Sequence, residues 1–337
     1  MTQRRVSIKD VAREAGVSVT TVSHALNGKG RLSETTRNHV QEVADRLGYR
    51  PNPAARSLVS GRTGLIAAMP SLPDDPRIAF SEFGYYSALI GAASGAAVAL
   101  DRALVVAPPS RSGFIWDRVP LDGVIVIDPL VGEPALPALR AARIPYVTIG
   151  LDPDGGDGPS VTAAERAATH RLLDHLAART TAGVGLLTIP PVNAFIVETI
   201  AAHDEWSASR GDQPRRVVMD LDRLVADDAA YLPGAIEQLL AQDVDAIYAP
   251  IELVGVEVAR ALTAMGRSIP GDVLLATTDD AGRAAAADPP ITTLTYDYPE
   301  MGRRAASLLF AIVDGRDGAR NEEVPATVTA RRSTERG

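Results

Sequence analysis

Apolar residues in the larger, C-terminal part of the chain alternate between short continuous runs and helix-length, alanine-rich segments. The short runs predict β-strands at 65–69, 103–107, 124–127, 146–149, 183–188, 217–219, 246–249 and 273–277. The longer segments predict helices at 85–100, 136–143, 163–178, 232–242 and 253–265. Continuous apolar strands that alternate with helices indicate parallel sheets covered on both faces. A stretch rich in Gly, Pro and Asp at 153–159 separates two such sets, so we expect two α/β lobes.

The first 50 residues follow a different pattern, with apolar positions three and four residues apart. Ser7, Ser18 and Ser33 can each cap the start of a short helix, and Gly16 and Gly48 can end two of them. The residues expected to face inward are Ile8, Val11, Ala12, Ala15, Val22, Ala25, Leu26, Val40, Val43, Ala44 and Leu47. A turn of about three residues joins the first two helices, which is typical of a helix-turn-helix. We therefore predict an all-α, three-helix head at 1–50.

Charge divides the chain at nearly the same place. Residues 1–62 carry 11 Lys and Arg against 5 Asp and Glu, whereas the rest carries 23 against 37. Such an asymmetry suggests that the head approaches a polyanion from which the acidic body is repelled. A chance fluctuation in charge is the alternative, so charge alone leaves the function open.

The outward positions of the second helix carry the candidate chemistry. Val19, Thr20 and His24 offer methyl groups, a hydroxyl and an imidazole, which suit base edges in the major groove. The candidate phosphate contacts are Ser18, Thr21, Ser23, Asn27, Arg50 and Arg56. On an isolated helix the same residues would more often form a plain solvated face. Their place in a basic three-helix head favours double-stranded DNA as the partner.

Composition narrows the class of protein further. The chain is 46% hydrophobic and 23% charged, as in ordinary globular proteins, and its apolar runs are too short to span a bilayer. It contains no cysteine, which excludes disulfides, thiolate nucleophiles and zinc fingers. The N-terminus has no apolar export signal. We expect a cytoplasmic, nucleoid-associated protein with no membrane partner.

Motifs for catalysis are missing from the sequence. Neither Gly-x-Ser-x-Gly, a Walker A loop nor Gly-x-Gly-x-x-Gly occurs. His170 and His175 are five residues apart, a spacing that does not align two imidazoles on one helical face. Asp-Asp pairs at 74, 227 and 279 lack a spaced partner for a metal. We expect no enzymatic activity, metal or cofactor. The alternatives from other classes are a solute-binding protein, which would need an export signal, and a sugar-processing enzyme with a regulatory head.

One segment resembles a known family. Ile8-Lys-Asp-Val-Ala-Arg-Glu-Ala-Gly-Val-Ser-Val-Thr-Thr-Val-Ser-His-Ala-Leu-Asn27 is similar to the DNA-binding head of the lac repressor (LacI/GalR) family, and the similarity continues at 36–37 and 47–52. Residues 52–58 resemble the family's hinge helix. The resemblance implies that Leu58, with Ala55 beside it, enters the minor groove and kinks the operator. Packing of Leu58 on its own domain is the alternative.

The resemblance also implies how the rest of the chain is organised. It makes 51–62 a hinge and linker, and 63–337 a periplasmic-binding-protein-like body for effector binding and dimerisation. Crossovers near Val161, near Pro290 and before the last strand would put about 63–160 and 292–320 in lobe N, and about 161–291 and 321–337 in lobe C. Residues 330–334 match the family's closing strand. The resemblance implies a repressor that binds a palindromic operator as a homodimer. No leucine heptads follow the body, so a tetramer is not expected.

An effector in the cleft between the lobes follows from the same resemblance. Asp279 matches the family's effector-binding aspartate, Tyr85 and Tyr86 fall where members place aromatics, and Thr199 occupies the position of an effector-binding arginine. Without the resemblance, Asp279 could equally cap a helix, and one tyrosine is expected to pack between helix and sheet. Pro250-Ile251 and Gly150 also replace polar residues of the family pattern. Because sugar hydroxyls need polar partners, we expect an effector with one donor group and a flat or apolar body, or a regulator without an effector.

Overall fold

The computed structural model describes residues 6–26, 30–50, 61–72, 83–107, 113–226, 231–251, 254–278, 282–316 and 321–336. The chain forms two compact units, Met1–Thr63 and Gly64–Gly337. In the described part of the chain, no helix combines the length and apolar character needed to cross a membrane.

The first unit contains the three predicted helices, α1 (Ile8–Ala15), α2 (Val19–Leu26) and α3 (Glu34–Arg46). The Ser7 amide and hydroxyl both donate to an Asp10 carboxylate oxygen, at 3.0 and 2.6 Å, and so cap α1. Gly16 ends α1 in the left-handed region, at φ 65°. The buried core consists of Val11, Ala12, Ala15, Val22, Ala25, Val40, Val43 and Ala44. The helix spacing in the sequence therefore predicted this small core correctly.

The second unit contains two six-stranded sheets. The first has the order β11-β5-β4-β3-β1-β2, and the second has the order β12-β10-β9-β8-β6-β7. The strands are β1 (Leu65–Pro70), β2 (Ala103–Val106), β3 (Gly123–Ile127), β4 (Tyr146–Ile149), β5 (Ser160–Thr162), β6 (Val184–Thr188), β7 (Arg215–Val218), β8 (Ala246–Ala249), β9 (Leu274–Thr278), β10 (Thr292–Thr295), β11 (Asn321–Glu323) and β12 (Thr327–Thr329). Among these strands only the β10–β12 pairing is antiparallel. The predicted class, an α-helical head with two parallel-sheet α/β lobes, is confirmed.

Helices cover both faces of each sheet. They are α4 (Gly84–Val98), α5 (Ala135–Ala142), α6 (Glu165–Ala177), α7 (Ala194–Ser209), α8 (Leu221–Val225), α9 (Tyr231–Leu240), α10 (Val254–Ala264), α11 (Arg283–Ala286) and α12 (Tyr298–Val313). Ile66 and Ala68 of β1 pack in the same cluster as α4 and α12, whereas Ala67 and Met69 pack with α5. Burial on both faces explains why the strands are continuous apolar runs.

The lobe boundaries differ from those expected. β5 and β11 pair in the first sheet, through Ser160 and Asn321, and β10 pairs in the second sheet, through Thr292 and Ala276. The chain therefore passes between the sheets after β5, after β10 and between β11 and β12. Lobe N contains α12 and β11 but not β10, so 292–295 and 321–323 lie in the opposite lobes from those expected. These strands are three or four residues long and rich in Thr, Asn and Glu, and they carry little periodic signal.

The C-terminal segment also differs from the expected strand at 330–334. The strand β12 ends at Thr329, and Arg332–Thr334 forms a 3₁₀ turn. Ser333 is buried there, where its hydroxyl donates to the Leu275 carbonyl (2.6 Å) and accepts from the Thr292 amide (2.8 Å). Side-chain hydrogen bonds thus attach this segment to β9 and β10 in place of strand pairing.

Candidate DNA-binding head and ligand cleft

The side chains expected to contact bases lie on α2, outside the buried core of the head. Val19 and Thr20 are exposed, and His24, one turn after Thr20, is partly exposed. Val22 and Ala25 are buried in the head core, which fixes the side of α2 that faces outward. The structure therefore places Val19 and Thr20 in the first turn of α2 and His24 in its last turn, all three outside the buried core of the head.

Hydroxyl groups cap the same end of α2. Ser18 Oγ accepts a hydrogen bond from the Thr21 amide (3.0 Å) and pairs with the Thr21 hydroxyl (2.8 Å). Because a helix N-terminus carries partial positive charge, hydroxyls placed there are suited to phosphate contact. Arg50 is exposed and Ser23 partly buried. The other predicted DNA contacts, Asn27, Ala55, Arg56 and Leu58, lie outside the described residues.

Gly30 is a residue of this surface that the sequence did not single out. Its φ is +75°, and a Cβ built on it would lie 2.6 Å from His24 Nδ1. A side chain at this position would displace the imidazole. The lack of a side chain at Gly30 thus makes room for the His24 imidazole. In the sequence, the presence of a glycine at this position is the one feature that could have suggested this role.

In the body, a cleft of about 190 Å³ lies at the carboxyl ends of strands from both sheets. This is where α/β folds bind ligands. It is lined by Ser71, Leu72, Phe83, Tyr85, Tyr86, Leu89, Asp128, Leu130, Ile149, Gly150, Glu165, Ile189, Val192, Asn193, Phe195, Ile196, Leu221, Pro250, Ile251, Thr278, Tyr296, Tyr298 and Met301. Most of these side chains are apolar or aromatic.

Aromatic rings form a continuous wall of the cleft. Tyr85 stacks on Tyr86 with 4.2 Å between ring centroids, and Tyr298 lies 5.4 Å from Tyr85. Tyr296 stacks on Tyr298 at 5.5 Å and meets Phe195 edge-on at 6.2 Å. The wall is built from α4, from the segment after β10 together with the first residue of α12, and from α7, so it spans both lobes.

Two carboxyl groups are set into this lining. Asp128 follows β3 and accepts a hydrogen bond from the Tyr85 hydroxyl at 2.6 Å. Burial raises the pKa of Asp128 to about 6, the Tyr85 hydrogen bond opposes the rise, and the charge of Glu165 adds to it. Burial also raises the pKa of Glu165, and backbone hydrogen bonds near Ala163 oppose this rise. Both groups therefore hold their protons more tightly than free carboxylic acids do.

The backbone at both carboxyl groups is unusual. Asp128 itself has φ 52°, and Ala164, directly before Glu165, has φ 53°. Left-handed conformations are costly for residues other than glycine and are often found at functional sites. Gly150, which has φ 85°, lies beside Asp128, and a Cβ there would lie 3.4 Å from Asp128 Oδ1. The lack of a side chain at Gly150 leaves space next to the Asp128 carboxyl group.

The predicted effector contacts divide into three groups. Tyr85 and Tyr86 line the cleft, but Tyr86 is buried and its hydroxyl donates to the Ser71 carbonyl (3.0 Å), so it is the tyrosine that packs. Thr199 is fully buried on the inward face of α7 and is not among the described residues that line the cleft. It shares that face with His203 and Trp206, which are also buried and are likewise absent from the described cleft lining, so Thr199 packs inside lobe C. Asp279 lies outside the described residues.

Several residues of the site were missed by sequence reasoning. Asp128 carried a usable signal, because an acidic residue directly after a buried parallel strand falls at the ligand-binding edge. Glu165 resembles an ordinary first-turn helix residue, and Tyr296 and Tyr298 lie far along the chain from the other aromatics. Among the described residues, no cluster of three or more His, Asp or Glu could hold a metal ion.

Comparison with known proteins identifies both parts of the chain. Residues 7–52 match the bacterial regulatory proteins of the lacI family, and residues 173–334 match the periplasmic binding protein-like domain. Over 331 residues the chain is 31% identical to the HTH-type transcriptional regulator CelR of Thermobifida fusca, with 93% of each protein covered. It is 27% identical to the HTH-type transcriptional regulator MalR of Streptomyces coelicolor, with 94% of this chain and 93% of MalR covered.

Solved structures agree with this class. The CelR–cellobiose complex superposes with a TM-score of 0.69 at 25% identity and covers 98% of this chain and 100% of its own. The lac repressor dimer bound to operator and the anti-inducer ONPF has a TM-score of 0.79 at 22% identity, with 98% and 99% covered. Fold and site thus define a helix-turn-helix transcriptional regulator with a periplasmic-binding-protein-like body. The chain belongs to the lacI family, as the resemblance of its head predicted.

Proposed function

We propose that this regulator is a repressor that binds a pseudo-palindromic operator as a dimer under the control of a small molecule bound in the cleft. The observation that carries the proposal is the outward surface of α2. There the core positions Val22 and Ala25 orient Thr20 and His24 outward, while Ser18 caps the helix. Such a helix start is what a helix-turn-helix presents to the major groove.

The need for a dimer follows from the modest chemistry of that surface. Val19, Thr20 and His24 lack the bidentate fork of arginine, so each base contact contributes about 1–3 kcal/mol or less. One head therefore provides too few contacts for a specific site. Two-fold symmetry doubles them and matches an inverted repeat in the DNA.

An exposed apolar edge of lobe N supports dimerisation. Val98, the last residue of α4, is 66% exposed, and Leu100, two residues after it, is 53% exposed. Val106, on the edge strand β2, is 41% exposed. Proteins usually cover an apolar sheet edge of this kind. A second copy of the chain related by two-fold symmetry would bury these side chains.

Control by a ligand is supported by the fact that both lobes contribute residues to the cleft lining. Tyr85 and Asp128 belong to lobe N, whereas Phe195 and Ile251 belong to lobe C. A ligand that contacts both lobes favours one angle between them, and a change in that angle would alter the spacing of two heads in a dimer. The similar regulator CelR has been solved with cellobiose, which is consistent with small-molecule binding in this fold.

The test is a selection of binding sites from random DNA with the full chain, followed by fluorescence anisotropy and sedimentation. We expect an inverted repeat, two chains per duplex, and at least about a 100-fold loss of affinity when one half-site is scrambled. Full affinity for a single half-site, or a monomer on the DNA, would contradict the proposal.

A further inference from the structure

Charged side chains of only one sign occur in the described lining of the cleft. Asp128 and Glu165 both line it, while its described lining contains no Lys, Arg or His. Arg166, the neighbour of Glu165, is engaged elsewhere, because its guanidinium bonds Glu198 at 2.7 and 3.0 Å and Glu205 at 2.5 Å. Two partly buried carboxyl groups that repel each other are costly, and a positive charge between them would offset that cost.

Two buried hydroxyl groups in the same lining have no partner among the described residues. They are Tyr296 Oη, on a side chain 7% exposed, and Ser71 Oγ, on a side chain 2% exposed. The charges of Glu165 and Asp128 are close enough to contribute to raising the pKa of Tyr296, after its burial and the nearby Tyr248 and Tyr298. A buried hydroxyl without a partner is unfavourable, because it has lost its hydrogen bonds to water. These atoms therefore indicate a place where a polar ligand group belongs.

Aromatic rings border the carboxyl groups. Tyr85, which bonds Asp128, lies 5.4 Å from Tyr298, and Tyr298 in turn lies 5.5 Å from Tyr296. The faces of such rings attract cations, most strongly where water is excluded. The remaining lining is largely aliphatic, including Leu130, Ile189 and Ile251, and suits the apolar part of a ligand.

We propose that the ligand of this cleft is a small organic cation, an ammonium group carried on an apolar or aromatic body. The carboxyl groups of Asp128 and Glu165 neutralise its charge, and the rings of Tyr85, Tyr296 and Tyr298 surround it. The apolar lining holds the body of the ligand. A neutral sugar can donate its hydroxyl groups to these carboxylates, but it brings no positive charge to them. The role of the cation as an effector rests on the proposed function, whereas its binding is a separate property of the cleft.

Cation binding should depend on pH because it requires the ionised form of Asp128. The titratable groups that interact with this carboxyl are Tyr85 on α4, Glu165 on α6 and Tyr296 after β10. Since burial raises the pKa of Asp128 to about 6, its carboxylate is mostly ionised at pH 7.5 and mostly protonated at pH 5. We expect binding to weaken about tenfold over this interval and to release protons near pH 6.

The test uses matched pairs of probes with the full chain at pH 7.5. The pairs are 2-phenylethylammonium with 2-phenylethanol and choline with 3,3-dimethylbutan-1-ol, which differ chiefly in charge. Thermal shift and calorimetry should show binding of at least one cation, at least tenfold tighter than its neutral partner. Asp128→Asn should remove this preference, whereas Asp288→Asn, an exposed control outside the cleft, should keep it.

Each other result overturns the inference. The inference is wrong if the neutral partners bind as tightly as the cations or if neither cation binds. It is also wrong if the preference for the cation survives Asp128→Asn. Tighter binding of cellobiose than of either cation would also overturn the inference. Operator binding by the same preparation is measured without any probe. If the protein does not bind its operator, the proposed function is contradicted. If only the comparison of probes fails, the proposal of a cationic ligand alone is contradicted.

Discussion

Replacing Asp128 with asparagine should make the body more stable at neutral pH. The pKa of this carboxyl is raised by burial from its ordinary value of 3.8 to about 6 in the folded protein. Between these values the folded protein holds a proton that the unfolded chain has lost, so stability falls as the pH rises through this window. Above pH 6 the ionised group lowers the free energy of unfolding by about 3 kcal/mol.

Asparagine has nearly the same shape and does not ionise. Its oxygen can still accept the Tyr85 hydrogen bond, although more weakly than a carboxylate does. We therefore expect Asp128→Asn to raise the free energy of unfolding at pH 7.5 by about 1–3 kcal/mol, which corresponds to a rise in Tm of about 2–6 °C. At pH 4 the aspartate is protonated in the folded protein, and the two proteins should have nearly equal stability.

The assay is thermal unfolding of both proteins, followed by circular dichroism from pH 4 to 8. Asp288→Asn is the matched control, because this exposed carboxyl pairs only loosely with Arg332 (3.4 Å) and its replacement should change stability by less than about 0.5 kcal/mol. An Asp128→Asn protein that is less stable than wild type at pH 7.5 would refute the reasoning. So would an unchanged dependence on pH.

Three further predictions concern the head and the dimer. Ser18→Ala removes the side-chain acceptor of the Thr21 amide and should lower the stability of the head by about 1 kcal/mol, measured by urea unfolding, and an unchanged stability would contradict a stabilising cap. Arg50→Ala should weaken binding to all DNA sequences alike and reduce the slope of log affinity against log salt by about 1, and a loss confined to one sequence would contradict a phosphate contact. Leu100→Glu places a charge on the exposed edge of lobe N and should shift sedimentation toward the monomer, while an unchanged dimer would exclude this edge as the interface.

The head was predictable because its signals are local. Ser7 and Ser33 mark helix starts, Gly16 marks an end, and the apolar spacing of each helix fixes its buried face. The long apolar strands were predictable for a similar reason, since burial on both faces leaves an uninterrupted run. The short strands were not predictable, because their pairing joins residues that are far apart in the sequence. In the pairing of β5 with β11, for example, Ser160 lies beside Asn321.

The cleft was only partly predictable. Resemblance to a family pointed to Tyr85, but it also pointed to Thr199, which the packing of α7 turns inward. Asp128 and Glu165 interact electrostatically because the end of β3 and the start of α6 lie at the same cleft in the folded body. Electrostatic coupling of this kind depends on tertiary structure, and no spacing in the sequence reports it.

The most direct test of the account is the ratio of affinities for a selected operator and a shuffled duplex at one salt concentration. If the start of α2 recognises bases, wild-type protein should prefer the selected operator by at least about 10³-fold. Replacing Thr20 and His24 together with alanine should reduce that preference by about 1–3 kcal/mol per lost contact, with little change in binding to the shuffled duplex. A wild-type ratio near one, or a preference and selected motif unchanged in the double variant, would contradict recognition of DNA sequence by this helix.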